Sequence, residues 1–225
     1  MPDDRETIMS AIKAALEPLP ERAAYPEWDP REAVCREHPP FDTDWDLFAH
    51  KTAQVNGTAL PDIESLAEWL LEKGAAHGYC DPALAEALVK RGPFRIAGEA
   101  TATGDFDGIV LETELKRETI DNYSFGITRA TGAIAETGSV VLSDRDVPTR
   151  LGALAPWVHI ALLRPEDLWP DTMTAISKLG DDPNVIWATG PSKTADVEGI
   201  LIEGVHGPGE QVTVLIQGED AAALG

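Results

Sequence analysis

Short apolar stretches with strand character alternate with helical repeats in the first half of this chain, and this alternation constrains its fold most strongly. The strand-like stretches are residues 53–60, 76–80 and 94–97, and the helical ones are 61–73 and 81–91. Asp81 and Pro82 mark a helix start, because aspartate accepts a free first-turn N–H and proline suits the first helical position. Strand–helix–strand units build a parallel sheet through right-handed crossovers. We therefore predict an α/β fold with a mostly parallel sheet flanked by helices.

The sequence divides into an N-terminal arm, residues 1–41, and a main α/β domain, residues 42–225. Residues 3–17 repeat apolar side chains along one stripe and carry acids near their start, which predicts an amphipathic helix. Pro18 and Pro20 end that helix, and the proline-rich chain after them predicts an extended arm.

Charge limits the partners of this chain. Its 39 acidic and 18 basic residues give a formal net charge of −21 at pH 7. A field of this sign repels phosphate backbones and anionic lipid surfaces, so we expect neither nucleic acid nor a membrane as partner. No apolar run approaches the roughly 20 residues that a membrane helix needs, and the acidic N-terminus lacks the apolar core of a signal peptide. These features predict a cytoplasmic protein.

Metal and cofactor motifs are absent from the sequence. Cys35 and Cys80 belong to no CxxC or CxxxH pattern, which argues against a zinc or iron–sulfur site in this chain. No GxGxxG follows a strand pattern, so a dinucleotide site is not supported, and no GxSxG elbow is present. The sequence thus predicts no metal site and identifies no cofactor.

The stretch from residue 184 to 217 predicts an anion-binding loop. We interpret it as a buried strand at 185–187, a Gly-Pro loop, a helix, a second loop and a closing strand. Ser192 or Thr194 caps this predicted helix, and Ile200, Leu201 and Ile202 form its buried face. A helix start after a small-residue loop collects free N–H groups that bind anions. The predicted ligand-binding residues here are Gly190, Ser192, Lys193, Thr194 and Asp196.

Lys193 has two interpretations. A cation at a helix start is disfavoured by about 0.3–1 kcal/mol, and a bound anion reverses that sign. Alternatively, Lys193 is an exposed lysine offset by Asp196 and Glu198. The run is not a Walker A loop, because Trp187 and Ser192 stand where that motif needs glycines.

The turn at Glu136 is the second candidate site. Glu136, Thr137 and Gly138 lie between two apolar stretches, and glycine tolerates the positive φ of a hairpin turn. A carboxylate at a strand end can act as a nucleophile or a general base. It can equally accept neighbouring backbone N–H groups and hold the turn, so both roles stay open. The predicted ligand-binding residues beside it are Thr137, Gly138 and Ser139.

Histidines and arginines differ in their setting along the chain. His206 precedes Gly207 in a turn, where side chains are exposed, and we assign it to the ligand site. His159 lies within an apolar strand pattern and is predicted to be a core residue. Arg145 and Arg150 either clamp a carboxylate bidentately or form weak surface ion pairs.

Several motifs of this chain match a known family in order and spacing. They are Gly126-Ile127-Thr128, residues 133–139 (AIAETGS), Pro156 with Val158-His159-Ile160, residues 190–198 (GPSKTADVE) and residues 204–208 (GVHGP). In these motifs the chain resembles the LUD-domain family of the lactate-utilisation LutC/YkgG type. The resemblance implies a fold similar to NagB, RpiA and CoA transferases. It also implies a role in bacterial oxidation of L-lactate to pyruvate, alongside two iron–sulfur partner proteins, and it supplies no settled catalytic residue.

Three functional hypotheses follow. The first is an accessory component of lactate oxidation that binds a small carboxylate or phosphate and its iron–sulfur partners. The second is an acyl or CoA transferase in which Glu136 forms a covalent intermediate. The third is a ligand sensor that uses the loop at 190–194. Each expects Glu136 and Lys193 to face a common pocket at one rim of the sheet.

Overall fold

Helix α1 (Asp4–Leu16) belongs to a separate N-terminal unit. The computed structural model describes residues 4–17, 41–98, 107–182, 184–195 and 200–218. The chain divides into two units, Met1–Cys35 and Arg36–Gly225. Asp4 and Glu6 stand in the first turn of α1, where acids complement the helix dipole, and none of its residues is buried. The predicted proline-rich arm lies outside the described residues, apart from its last position, Phe41.

The strands of the second unit alternate with helices, as the sequence predicts. In chain order they are β1 (Thr58–Leu60), β2 (His77–Cys80), β3 (Phe94–Ile96), β4 (Ile109–Glu112), β5 (Phe125–Arg129), β6 (Gly132–Ile134), β7 (Ser139–Ser143), β8 (Val158–Leu163), β9 (Leu168–Trp169), β10 (Val185–Ala188), β11 (Lys193–Ala195), β12 (Leu201–Glu203) and β13 (Glu210–Leu215). Seven of them form the main sheet in the order β1-β13-β8-β5-β2-β4-β3, and every pairing in it is parallel. This sheet confirms the predicted α/β fold class.

Short polar side chains set the helix starts. The helices are α2 (Asp44–Gln54), α3 (Ile63–Glu72), α4 (Pro82–Arg91), α5 (Arg150–Leu154) and α6 (Thr172–Leu179), with 3₁₀ turns at Arg117–Asn122 and Pro165–Asp167. Asp62 and Asp81 cap α3 and α4 by accepting first-turn N–H groups, as expected of aspartate before an apolar repeat. Within the described ranges, no helix is long and apolar enough to cross a membrane.

Two cores lie on opposite faces of the main sheet, because successive side chains of a strand point to opposite sides. On one face, Leu66 of α3 and Leu88 of α4 pack in the same buried cluster as Ile160 of β8. On the other face, Ala161 of β8 shares a cluster with Phe48 of α2 and with strands β6 and β7. Strands β6 and β7 belong to a smaller sheet with the order β10-β7-β6-β9. The β6–β7 turn, which carries Glu136, is thereby placed next to α2.

The helix predicted after Gly190 is wrong. Strands β11 and β12 form an antiparallel pair there, with Lys193 opposite Glu203. Ile200, Leu201 and Ile202 are 57%, 61% and 45% exposed, so they are not the buried face of a helix. Three consecutive aliphatic residues fit a helix or a strand equally well, and cross-strand pairing with residues 193–195 decides for the strand. Strand β10 pairs only with β7 in its sheet and is half-exposed, which corrects the buried strand predicted at 185–187.

Candidate functional site

A chain of three hydroxyl groups joins two parts of the smaller sheet. Thr137 Oγ1 lies 2.7 Å from Ser139 Oγ, which lies 2.7 Å from Thr189 Oγ1. Thr137 is in the β6–β7 turn, and Thr189 follows β10, which pairs with β7. Each hydroxyl group has one O–H donor, and two of the three donors are used within this set. One O–H donor is therefore left for a group other than these three residues. Ser139 is buried and Thr189 is exposed, so this hydroxyl chain reaches the surface.

Two turns that contain glycine pack this region closely against the end of helix α2. Gly138 has φ 66°, and a Cβ there would lie 2.4 Å from Thr52 N. Gly190 has φ 73°, and a Cβ there would lie 2.3 Å from Val55 O. Thr52 Oγ1 also donates to Gly138 O at 3.4 Å. Both positions require glycine twice over, for the backbone conformation and for the close approach.

Lys193 lies at the end of a helix rather than at the start of one. Its Nζ donates to Val55 O at 3.0 Å, just beyond the carboxyl end of α2, and lies 3.6 Å from Glu203 Oε1. Asn56 Nδ2 donates to the same Glu203 oxygen at 2.7 Å. A cation complements the negative end of a helix dipole, so the predicted electrostatic conflict at Lys193 does not exist. Residues 193–195 are a strand, so the helix start whose N–H groups were expected to bind an anion is not formed there.

The remaining residues of the predicted loop surround the base of the β11–β12 pair. Ser192 N donates to Pro208 O and Gly204 N donates to Ser192 O, both at 2.9 Å. Thr194 stands opposite Ile202 in the strand pair, and His206 is exposed in the following turn. Asp196 lies outside the described residues.

The carboxylate of Glu136 caps helix α6. Its Oε1 accepts the Thr172 N–H at 2.6 Å and the Thr172 hydroxyl at 2.5 Å. Asp171 accepts Thr174 N–H at 2.7 Å, so two carboxylates serve the start of this helix. Glu136 therefore has contacts of the kind expected for a structural role, and its carboxylate binds α6 while Lys193 binds the end of α2.

His159 is buried in the core, as the apolar strand pattern predicts. Its Nδ1 lies 2.8 Å from Gln211 Oε1, and its Nε2 lies 2.9 Å from Thr128 Oγ1. Because the amide oxygen only accepts, we assign the ring proton to Nδ1, and Nε2 then accepts from the Thr128 hydroxyl. Burial lowers the pKa of His159 to about 4.

Arg145 and Arg150 bind acidic side chains. Arg150 donates from Nε and Nη2 to the two carboxylate oxygens of Asp144, at 2.5 and 2.6 Å. This hydrogen bonding is the main cause that lowers the pKa of Asp144. Arg145 lies 3.5 Å from Asp181 and 3.7 Å from Asp182. Of the two roles left open by the sequence, the structure shows the ion pairs.

Two further observations concern binding sites elsewhere. No group of three or more His, Cys, Asp or Glu residues within the described part of the chain is arranged to hold a metal ion. A cleft of about 520 Å³ lies beside the start of α3 and the end of β13, lined by Asp62, Arg91 and Gln217 among others. None of the predicted site residues lines this cleft.

Sequence reasoning missed Thr189 as a member of the hydroxyl chain. The available signal was the pairing of two strand patterns: once residues 185–188 are placed beside residues 140–143, the residue after Ala188 falls beside Ser139. Strand pairing between segments so distant in sequence is not encoded in local periodicity, so the signal is weak.

Comparison with known proteins places these residues in a family. The sequence profile described as the LUD domain matches residues 64–216. The chain is similar to an uncharacterized protein, NMB1437, of Neisseria meningitidis, with 33% identity over 130 residues that cover 54% of this chain and 56% of that protein. It is similar to lactate utilization protein C of Bacillus subtilis, with 31% identity over 127 residues that cover 52% of each. It is also similar to lactate utilization protein C of Deinococcus radiodurans, with 29% identity over a region that covers 48% of this chain and 52% of that protein. The chain thus spans about half the length of the curated relatives it matches.

Among solved structures, a DUF162 family protein of Deinococcus radiodurans matches with 20% identity and a TM-score of 0.42. The match covers 78% of this chain and 99% of that chain.

Proposed function

Because the chain belongs to the LUD domain family, whose profile matches residues 64–216, we propose that it is an accessory component of L-lactate oxidation to pyruvate. It acts with iron–sulfur partner proteins and binds a small carboxylate. The proposal is supported by the similarity to proteins named lactate utilization protein C. The hydrogen bonds of Glu136 to Thr172 support a binding and positioning role for the chain over a covalent role for this carboxylate.

The observation that carries the ligand proposal is the hydroxyl chain of Thr137, Ser139 and Thr189. Two hydrogen bonds among three hydroxyl groups leave one O–H donor for a ligand, and a carboxylate oxygen is a strong acceptor for such a donor. A hydrogen bond to a charged group contributes about 1.5–3 kcal/mol. One such bond corresponds by itself to a dissociation constant on the order of 10 mM or weaker. This affinity suits an abundant metabolite such as lactate or pyruvate.

Ligand binding is tested by titrating the full chain with lactate, pyruvate and inorganic phosphate in calorimetry and thermal-shift assays. We expect lactate and pyruvate to bind, and we expect Ser139→Ala to weaken their binding roughly tenfold. The reason is that Ser139 takes part in both hydrogen bonds of the hydroxyl chain. Ser124→Ala, a change of the same kind at an exposed serine before β5, is the matched control. Equal binding by Ser139→Ala and the wild type contradicts this site.

The cellular role is tested separately. We expect the chain to co-purify with the two iron–sulfur proteins of a lactate-oxidation system, and a deletion strain to lose growth on lactate. Growth of the deletion strain on lactate, together with failure to form a complex, contradicts the proposed function whatever the ligand assays show.

A further inference from the structure

Helix α1 exposes a single apolar stripe to solvent. Its members, Ile8, Met9, Ile12 and Leu16, are 60%, 43%, 47% and 42% exposed. Their positions place all four side chains within an arc of about 100° around the helix axis. We call these four residues the α1 stripe. A helix of 13 residues is only marginally stable alone in water, and packing of an apolar face supplies most of the stability of such helices in proteins.

Two opposite charges lie along one border of this stripe. Glu6 and Lys13 are seven residues apart, close to two helical turns, so they stand on the same side of α1 about 10 Å apart along its axis. Both side chains are exposed, and neither has an ion-pair partner among the described residues. The border therefore has a negative charge in the first half of the helix and a positive charge in the second half.

This pattern is complementary to itself in one orientation. When two copies of α1 lie antiparallel along their stripes, Glu6 of each helix faces Lys13 of the other, which gives two equivalent ion pairs about a twofold axis. The same register packs Met9 of each helix against Ile12 of the other. A parallel pair would instead place each of these charges opposite its own kind.

The amino end of the stripe also favours the antiparallel arrangement. Arg5 continues the line of Met9, Ile12 and Leu16 toward the start of α1. Antiparallel pairing places its guanidinium beside the carboxyl end of the other helix, where a cation complements the helix dipole. Parallel pairing would place the two Arg5 side chains together and cause repulsion.

The size of the stripe and the charge of the chain limit the strength of this contact. Four apolar side chains from each copy form an interface smaller than the roughly 1,200–2,000 Å² of a standard stable complex. The net charge of −21 also opposes association of two copies, and at about 0.15 M salt this repulsion is screened beyond about 8 Å. We propose that α1 pairs antiparallel with α1 of a second copy of this chain, through the α1 stripe and two Glu6–Lys13 ion pairs, to form a weak, reversible dimer. This inference goes beyond the proposed function and does not depend on it.

The apolar part of the contact is tested by sedimentation equilibrium of the full chain, from micromolar to millimolar concentration, at about 0.15 M salt. Ile12→Ala removes an apolar contact from both halves of the pair, and alanine favours the helix at least as well as isoleucine. We expect this change to raise the dissociation constant of the dimer roughly tenfold or more. Ile176→Ala, at a 51% exposed isoleucine of α6, is the matched control and should leave the dimer unchanged.

The orientation is tested by two charge reversals. Glu6→Lys makes the border wholly positive and Lys13→Glu makes it wholly negative, so each variant alone should dimerise roughly threefold more weakly or worse. In an equimolar mixture each variant supplies the charge that the other lacks, and we expect mixed dimers that are tighter than the dimers of either variant. Both substitutions also disturb the dipole of α1, and this effect is the same in the mixture as in the separate proteins.

Each result supports or overturns one part of the proposal. A wild type that stays monomeric up to millimolar concentration overturns the dimer, and a loss of thermal stability in its Ile12→Ala variant then assigns the stripe to the rest of its own chain. A dimer that is equally strong with Ile12→Ala overturns α1 as the interface. A dimer that is weakened by Ile12→Ala, but whose charge variants associate no better when mixed, overturns the antiparallel arrangement. The proposed function is decided separately, by the ligand titrations and the growth test.

Discussion

Lys193 Nζ donates a hydrogen bond to Val55 O at 3.0 Å, and this contact ties the β10–β11 loop to the end of helix α2. The two residues are 138 positions apart in the chain. The contact reverses the electrostatic role that the sequence predicts for Lys193, because the ammonium group meets the negative end of a helix dipole instead of the positive one.

Replacing Lys193 by methionine should therefore destabilise the protein. We expect a loss of about 1 kcal/mol in the free energy of unfolding, from the hydrogen bond and the dipole interaction together. Urea unfolding measures it, and Lys90→Met, at a side chain that is 72% exposed, should change stability by less than about 0.5 kcal/mol. An increase in stability would contradict a favourable contact between Lys193 and the end of α2.

Glycine at position 138 should be far less replaceable than glycine at position 74. Both have positive φ, 66° and 67°, so alanine strains the backbone at either position. At Gly138 the added methyl also meets Thr52 N at 2.4 Å, whereas nothing lies within 4 Å at Gly74. We expect Gly138→Ala to cost about 1–3 kcal/mol more than Gly74→Ala in thermal or urea unfolding. Equal losses would mean that the turn does not press on α2.

Substitution of Glu136 separates its two candidate roles. If Glu136 caps helix α6, its change to glutamine or alanine should lower the free energy of unfolding by about 0.5–2 kcal/mol. Glu166→Gln, at a side chain that is 60% exposed, should lower it only slightly. Mass spectrometry after incubation with an acyl-CoA and hydroxylamine should show no modification of Glu136. A trapped adduct on this residue would instead support the transferase hypothesis.

Acid should weaken the fold through His159. Its pKa is lowered to about 4 by burial, against an ordinary value of 6.5, so the unfolded chain takes up this proton first as the pH falls. Stability from the neutral ring is complete above about pH 6.5 and declines between pH 6.5 and 4, by on the order of 3 kcal/mol. Urea unfolding across this range should show a steeper decline for the wild type than for His159→Leu. Parallel pH profiles of the two proteins would contradict the neutral buried imidazole.

Local signals were sufficient for the α/β class of the main sheet. Asp62 and Asp81 begin α3 and α4 through their own side chains, and the apolar periodicity of those helices matches the faces they bury. Strand and helix alternation then leaves few topologies other than a parallel sheet. His159 was likewise predictable as a core residue, because its neighbours in the strand are apolar on both sides.

The candidate site was only partly predictable. The glycines at 138 and 190 are recognisable as turn positions from the sequence. Their close contacts with Thr52 and Val55 depend on where helix α2 packs. Ile200, Leu201 and Ile202 illustrate the limit, since three aliphatic residues without a surrounding period suit a helix or a strand.

The sequence by itself determined the α/β class, the start of α4 at Asp81 and the buried histidine, because caps, turns and periodicity act within a few residues. Tertiary structure alone decided that β11 and β12 form a ribbon, that Thr189 meets Ser139, and that Lys193 faces a carbonyl of Val55. These three outcomes depend on strand pairing and on packing between segments that are remote in the chain. The interactions that stabilise them involve residues that cannot be identified from the local sequence.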